Sequence, residues 1–205
     1  MKIHLIRHGE TALKKRGAYQ GWIDEPLSEA GKKALVNGNL YGGWVYVSPM
    51  KRARQTAAIA LPYARQVVVE DLKEMNFGDF EGRTPNEMKT DPAYRGWVDS
   101  GCLDRCPNGE RKEDFARRTC DAFAGLVDMA LKRGDRELWI VAHGGTQMVV
   151  MEGFVDPSRP YYSWLLDCGK GYELDTDRWE AERRLTLRGT VSFVLPDVPE
   201  LNDPL

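Results

Sequence analysis

The sequence lacks any long apolar run. None of its stretches approaches the roughly 18–20 apolar residues that cross a bilayer, in a chain of 205 residues. The N-terminus also lacks the pattern of a signal peptide, because Arg7 and His8 interrupt its one apolar stretch and no cleavage site follows. These absences predict a protein that has no membrane partner and resides in the cytoplasm.

An excess of charge of one sign is absent too. The chain has 29 Lys and Arg against 31 Asp and Glu, a formal net charge of −2, whereas nucleic-acid binders usually carry a basic excess. We therefore expect no nucleic-acid partner, although a local positive pocket for a small anion is compatible with this total. With 42% hydrophobic and 29% charged residues, the composition is that of a globular protein with a sizeable core.

Cysteine is scarce, with four residues at positions 102, 106, 120 and 168. In a reducing compartment free thiols are more common than disulfides. Cys102 and Cys106 have the spacing of half a zinc site, but no His lies near them and no second pair follows. Loop or core thiols are the favoured interpretation, with zinc as the minor alternative, and we expect neither a metal nor a cofactor.

Strand-like and helix-like segments alternate along the chain, which favours a parallel sheet with helices on its faces. Strands are predicted at residues 1–6, 44–47, 67–69, 137–142 and 185–195, with a strand pair at 161–166 and 171–174. Helices are predicted at residues 28–40, 50–61, 110–133 and 146–154, and a capping box predicts a short helix from Thr84. The acidic, proline-rich residues 196–205 are expected to form a solvated tail.

Two of the three histidines directly follow predicted strands. His8 and His143 each precede a glycine after an apolar run. In an open α/β sheet, ligands bind beyond the carboxyl ends of the strands. If both strands are central and parallel, the two imidazoles meet at one edge of the sheet. The strand at residues 44–47 brings Arg52 towards the same edge, in the first turn of a predicted helix whose N–H groups favour anions.

This set fits the cleavage of a phosphomonoester. A neutral imidazole held at a strand end can attack phosphorus and form a covalent intermediate. Fixed positive groups must then meet the charge on the phosphoryl oxygens, and the candidates are Arg7, Arg52 and His143. An acid must protonate the leaving oxygen, and both Glu74 and Glu110 lie in glycine-flanked segments that could supply it.

Four segments in order, residues 5–11, 48–57, 72–82 and 142–146, resemble the histidine phosphatase superfamily. The resemblance is to the branch that includes the cofactor-dependent phosphoglycerate mutases. Any one of the segments is a weak signal, but four in order at compatible spacing are specific. The resemblance implies a phosphoglycerate mutase-like α/β fold, a three-layer αβα sandwich with a mostly parallel sheet. It also implies a single domain over residues 1–205, with a lid or insert at about 75–110.

The resemblance also implies a role for each matching residue. His8 is the phosphate-accepting nucleophile, and Arg7, Arg52 and His143 bind the transferring phosphoryl group. Glu74 protonates the leaving group and then activates water, with no metal in the scheme. The implied substrate-side residues are Gly9, Thr11, Gln20, Gly21 and Gly144.

Within the superfamily, residues 17–21, 74–81 and 107–110 are most similar to the α-ribazole-5′-phosphate phosphatases of cobalamin nucleotide-loop assembly. The mutases carry a longer, different sequence around the acid and need a second phosphate site, for which no extra basic cluster is visible. One position departs from the family pattern, because Lys14 stands where Asn is usual. This departure bears on substrate identity more than on the chemistry.

The expected activity is metal-independent hydrolysis of phosphomonoesters through a phosphohistidine, with α-ribazole phosphate as the expected substrate. A broad small-molecule or sugar phosphatase and a phosphoglycerate mutase are the alternative enzymes. A phosphate-binding regulatory module without turnover is the non-enzymatic alternative, and the complete catalytic set argues against it. A small phosphorylated substrate is the expected partner. The sequence does not decide whether the protein forms a homodimer.

Other side chains have simpler interpretations. Arg54, Arg117 and Arg118 are most simply solvated helix faces or members of ion pairs. Trp97 is equally suited to the wall of the pocket and to packing within the lid. The apolar stripe of the predicted helix at 110–133, which includes Met129, is expected to be core.

Overall fold

One six-stranded sheet organises the computed structural model, which describes residues 1–38, 43–155 and 159–195. The strand order is β3-β2-β4-β1-β5-β6. The first four strands, β1, β2, β3 and β4, run parallel to one another. β5 runs antiparallel to both its neighbours, β1 and β6. The sheet is therefore mostly parallel, as predicted. The strands are β1 (Lys2–Arg7), β2 (Trp44–Val47), β3 (Arg65–Val68), β4 (Glu137–Ala142), β5 (Lys170–Asp175) and β6 (Thr186–Ser192).

Helices connect most of these strands. The α-helices are α1 (Ala12–Lys15), α2 (Glu29–Ala34), α3 (Lys51–Ala60), α4 (Pro92–Asp99), α5 (Lys112–Arg133), α6 (Gly144–Phe154) and α7 (Trp179–Glu182). Short 3-10 helices lie at Glu70–Leu72, Gly78–Phe80 and Tyr161–Trp164. α5 ends where it was predicted to end, at Gly134, whose φ of 75° is unfavourable for other residues. Nothing helical in the described part of the chain is long and apolar enough to span a membrane.

The two faces of the sheet carry separate apolar clusters, because successive side chains of a strand point to opposite faces. In β4, Leu138 and Ile140 pack with residues of α5 and α6. Val141, between Ile140 and the strand end, packs instead with the alanines of α3. Helices thus cover both faces, and the three-layer αβα arrangement is confirmed. Met129, predicted to lie on the buried stripe of α5, is exposed, and Val127 is buried in the same helix.

A third cluster, which we call the aromatic cluster, is built by residues 75–97 together with Tyr19. Its rings are those of Tyr19, Phe77, Phe80, Tyr94 and Trp97, in edge-to-face and tilted contacts with centroids 5.0–6.2 Å apart. Trp97 is buried inside this cluster. Of its two interpretations, pocket wall or packing within the segment, the structure therefore supports the packing. That residues 75–110 act as a lid stays a prediction.

The second helix is shorter than predicted. α2 begins after Ser28 as expected, but it ends at Ala34 and does not continue towards residue 40. Leu35 forms an antiparallel bridge with Val194, so pairing with the chain after β6 replaces further helical hydrogen bonds. The predicted helix end at residues 39–42 lies outside the described residues, as does the predicted tail.

The predicted strand at residues 161–166 is wrong. Its first four residues form a 3-10 helix against α6. Trp164 is buried there, and the Tyr172 hydroxyl donates to its carbonyl over 2.9 Å. Residues 171–174 do belong to a strand, but its partners are β1 and β6. A short apolar run without alternation does not distinguish a strand from another buried segment.

The capping box at Thr84 forms without producing a helix. The amide of Thr84 donates to the Glu87 carboxylate, and the Glu87 amide donates back to the Thr84 hydroxyl. The segment nevertheless continues as turns, and α4 begins only at Pro92, after the N-cap residue Asp91. The local hydrogen bonds were predicted correctly and the helix was not.

Candidate active site

Three adjacent parallel strands end at the same edge of the sheet. The register pairs Arg7 of β1 with Ala142 of β4, so the residues that follow them stand side by side. The His8 and His143 rings meet edge to face with centroids 5.2 Å apart. The predicted meeting of the two strand-end histidines is therefore confirmed, and its cause is the matched register of β1 and β4.

The His8 ring is held as a neutral imidazole with one nitrogen free. Its Nδ1 lies 2.7 Å from the Gly9 carbonyl oxygen. Because a carbonyl only accepts, Nδ1 carries the proton and Nε2 keeps its lone pair. Burial, followed by the charges of Arg52 and Arg7, holds the pKa of His8 well below its usual 6.5. A buried imidazole with a free lone pair is suited to nucleophilic attack.

The His143 ring has a different hydrogen-bond pattern. Its Nε2 lies 2.7 Å from the Ser48 hydroxyl oxygen, while its buried Nδ1 has no partner among the described residues. Burial, and next the charge of Arg52, hold the pKa of His143 well below 6.5. When Ser48 donates to Nε2, the proton of the neutral ring is on Nδ1. This leaves a buried N–H donor beside His8.

Two buried guanidinium groups flank the histidines. Arg52 is fully buried, and it donates to the carbonyls of Gly21 and Ile23 over 2.7 and 2.9 Å. Arg7 donates to the Leu166 carbonyl. Each keeps a buried Nε without a hydrogen-bond partner and forms no ion pair in the part of the chain described here. Their positive charges are thus fixed by carbonyls and left for an anion to neutralise.

The Glu74 carboxyl lies at the start of α6. Its Oε2 accepts from the Gly145 amide over 3.0 Å, and its Oε1 accepts from the Met75 amide over 3.0 Å. A Cβ atom on Gly145 would lie 2.0 Å from Glu74 Oε1, so a side chain at this position would displace the carboxyl. Glu110, the alternative acid, does not line the cavity that Glu74 lines. The structure brings Glu74 to the site.

A cavity of about 160 Å³ is bounded by these groups, except that His143 does not line it. Its polar wall includes Arg7, His8, Arg52 and Glu74, and its apolar wall includes Tyr19, Phe77, Met148 and Leu165. Lys14 lines it as a further cation. A larger cleft of about 970 Å³ adjoins it and shares Arg7, Lys14 and Leu165. The larger cleft contains neither His8 nor Glu74, so the chemistry belongs to the smaller cavity.

The model of the histidine phosphatase superfamily (branch 1) matches residues 3–165. The chain belongs to this superfamily. The matched range includes both strand-end histidines, both buried arginines and Glu74. The superfamily consists of phosphatases and mutases, which supports an enzyme of that kind.

Relatives agree with this placement. The chain is 32% identical over 188 residues to "Uncharacterized phosphatase PhoE" of Bacillus subtilis, covering 85% of this chain and 89% of that protein. It is 27% identical over 196 residues to the adenosylcobalamin/alpha-ribazole phosphatase of Escherichia coli, covering 90% and 95%. The crystal structure of phosphoglycerate mutase from Thermus thermophilus aligns with a TM-score of 0.66 at 25% identity, covering 96% and 100%. The phosphoglycerate mutase-like fold is therefore confirmed.

In this histidine phosphatase, the predicted substrate-side residues fall into two groups. Those that line the cavity are Gln20, Gly21 and Gly144. Gly9 and Thr11 do not: the Gly9 amide donates to the Thr56 hydroxyl over 2.9 Å, and the Thr11 hydroxyl donates to Gln20 over 3.0 Å. Of these two residues, Thr11 contacts a cavity-lining residue, Gln20, and a substrate-side role for either stays a prediction.

Sequence reasoning missed several residues that hold the site together. Ser48 precedes α3, whose N-cap residue is Met50, and its hydroxyl oxygen lies within hydrogen-bond distance of His143 Nε2. The Glu81 carboxylate accepts from the amides of Trp22, Ile23 and Phe77 over 2.8–3.0 Å, which joins the loop after Gln20 to the acid loop. Burial raises the pKa of Glu81. No local pattern signals such long-range contacts.

Arg118 was interpreted as a solvated or ion-paired helix residue. It does form an ion pair, with Glu110, but it also bonds the backbone of the acid loop. The four cysteines are free. Within residues 1–38, 43–155 and 159–195, no cluster of three or more His, Cys, Asp or Glu side chains is arranged to hold a metal ion.

Proposed function

We propose that the chain is a phosphomonoester hydrolase that works through a phosphohistidine on His8. The observation that carries this proposal is the His8 ring: neutral, buried, hydrogen-bonded through Nδ1 to Gly9, and lining the same cavity as Arg7 and Arg52. Glu74 lines the same cavity and is positioned by two amides. Nucleophile, cations and acid thus share one small space.

The first step forms the covalent intermediate. Arg7 and Arg52 bind the phosphoryl oxygens, and His8 Nε2 attacks phosphorus while the bond from phosphorus to the leaving oxygen breaks. Glu74, in its protonated form, gives its proton to that oxygen. The N–H of His143 Nδ1 donates to the charge that develops on the phosphoryl group.

The second step returns the enzyme to its starting state. Glu74, now a carboxylate, takes a proton from water as the water oxygen attacks the phosphorus of the phosphohistidine. The N–P bond breaks, inorganic phosphate leaves, and Nε2 regains its lone pair. The reaction consumes one water and releases one alcohol and one phosphate.

α-Ribazole phosphate is the substrate that we propose. The cavity wall includes the apolar side chains of Tyr19, Phe77 and Met148, and such walls favour an ester that carries an aromatic group. The similarity to the adenosylcobalamin/alpha-ribazole phosphatase of Escherichia coli supports the same choice. Lys14 favours a second candidate class, phosphomonoesters with another anionic group, because it adds a cation to the cavity.

A panel of kcat/KM values tests the proposal. It compares α-ribazole phosphate, ribose 5-phosphate, 3-phosphoglycerate, phosphoserine and p-nitrophenyl phosphate, each with and without a chelator. We expect hydrolysis of the panel, the highest value for α-ribazole phosphate, and no effect of the chelator. Activity lost with the chelator would contradict the metal-free mechanism, and phosphoglycerate interconversion without phosphate release would indicate a mutase. Absence of turnover on every ester would contradict the proposed hydrolase and favour the non-enzymatic alternative, a phosphate-binding module.

A further inference from the structure

We infer that Arg118 and Glu110 form a positioning pair that holds the general acid Glu74 over the leaving oxygen. The inference rests on the proposed function and concerns how one of its residues is kept in place. Neither side chain lines the cavity, so the pair acts through the backbone of the loop that carries Glu74.

From one side chain on α5, Arg118 bonds three carbonyls at and just before the start of this loop. Its Nη1 donates to the carbonyls of Asp71 and Lys73, each over 2.9 Å. Its Nη2 donates to the carbonyl of Glu74 itself, also over 2.9 Å. The planar fork of a guanidinium can span three acceptors in this way, whereas an ammonium offers one compact donor centre.

Glu110 completes the arrangement on the other side of Glu74. Its two carboxylate oxygens accept from Nε and Nη2 of Arg118, each over 2.8 Å. The oxygen that meets Nη2 also accepts from the Asn76 amide over 2.7 Å, and the Glu110 amide donates to the Asn76 carbonyl over 2.8 Å. The two side chains are only 19% and 17% exposed, so this pair is screened less than a surface ion pair.

The loop depends on these contacts because residues 74–77 have no regular secondary structure. One carboxyl oxygen of Glu74 bonds the amide of Met75, so its place follows the loop backbone. Releasing that backbone moves the acid relative to Gly145 on α6. The nucleophile and the two buried arginines stay where β1 and α3 place them. Loss of the pair should therefore impair proton donation and spare phosphoryl binding.

Leaving groups of different acidity separate these effects. Ribose 5-phosphate releases an alkoxide that needs a proton, whereas p-nitrophenolate leaves without one. For Arg118→Met we expect kcat/KM to fall roughly tenfold or more on ribose 5-phosphate and less than about threefold on p-nitrophenyl phosphate. Inhibition by inorganic phosphate should stay unchanged. Arg117→Met is the matched control, because Arg117 is exposed on the same helix and forms an ion pair with Asp114, away from the loop that carries Glu74.

A double-mutant cycle with Glu74→Gln gives the decisive comparison. If Arg118 acts through Glu74, Arg118→Met adds no further loss on ribose 5-phosphate in the Glu74→Gln background. Fully additive losses, or an equal loss on both esters, would overturn the positioning role. Glu110→Gln, which retains the shape of the side chain, should reproduce the same leaving-group pattern more weakly. It provides the test if Arg118→Met does not fold.

The same data separate this inference from the proposed function. If Glu74→Gln itself shows no dependence on the leaving group, the assignment of Glu74 as the acid fails. If Glu74→Gln shows that dependence and neither Arg118→Met nor Glu110→Gln does, only the positioning pair is wrong.

Discussion

The two halves of the cavity are built in different ways. The half to which we assign phosphoryl binding, the phosphoryl half, is lined by side chains at a strand end and in the first turn of a helix: Arg7, His8 and Arg52. His143 contacts the His8 ring without lining the cavity itself. The half to which we assign the leaving group, the leaving-group half, is a loop without regular structure around Glu74, fixed by the distant side chains of Arg118 and Glu110. Regular secondary structure therefore places the groups that we propose to bind and attack phosphorus. Individual side-chain contacts place the proposed acid.

Replacing the nucleophile tests the phosphoryl half most severely. His8→Ala removes both the attacking nitrogen and the site of the covalent intermediate. We expect kcat to fall about 10⁴-fold or more on every ester, independent of its leaving group. The measurement is steady-state turnover with both ribose 5-phosphate and p-nitrophenyl phosphate, with thermal unfolding as the check on folding. Turnover near the wild-type rate would remove His8 from its assigned role.

Replacing the acid tests the leaving-group half. Glu74→Gln keeps the shape and loses the proton, so kcat/KM on ribose 5-phosphate should fall by roughly 10²- to 10⁴-fold. On p-nitrophenyl phosphate, bond cleavage should lose far less, because the leaving group needs no proton. Hydrolysis of the intermediate should still be slow without the carboxylate, so rapid-mixing experiments should show a burst of p-nitrophenolate. Equal losses on both esters without a burst would indicate a structural role for Glu74.

A smaller change to the phosphoryl half is Ser48→Ala. The variant removes the hydroxyl that bonds His143 Nε2, and a lost hydrogen bond in a buried site should reduce kcat/KM roughly tenfold. Since His143 serves the phosphoryl group, the reduction should be the same for ribose 5-phosphate and p-nitrophenyl phosphate. A reduction confined to ribose 5-phosphate would place His143 in the leaving-group half.

The smallest expected effect concerns the pH profile. Burial first, then Arg52 and Arg7, and more weakly Lys14 lower the pKa of His8, so the neutral nucleophile persists below pH 6.5. Lys14→Asn removes one positive charge, which raises the pKa of His8 and shifts the acid limb of kcat/KM to higher pH by roughly a few tenths of a unit.

The control for this shift is Lys15→Asn, because Lys15 lines the larger cleft and not the catalytic cavity. Both variants are compared with the wild type on one ester, since a phosphomonoester itself ionises near pH 6. A shift to lower pH, or the same shift in both variants, would contradict the effect of Lys14 on His8.

The same contrast explains what could be predicted from the sequence. The apolar runs before His8 and His143 determine their strands, and parallel pairing then brings the two rings together. The contacts of Arg118 join residues more than forty positions apart, and no local spacing encodes them. Tertiary contacts also outweigh local helix propensity at Leu35. This residue forms a bridge with Val194 and does not extend α2.

The matched register of β1 and β4 has a consequence for how the chain tolerates changes of length. His8 and His143 keep their separation because Arg7 stands opposite Ala142, so an insertion in a surface loop between the two strands leaves that separation unchanged. Deleting one residue within either strand would turn each following side chain to the opposite face of the sheet. One histidine would then enter the apolar layer, and the pair would be lost although every catalytic residue remained in the chain.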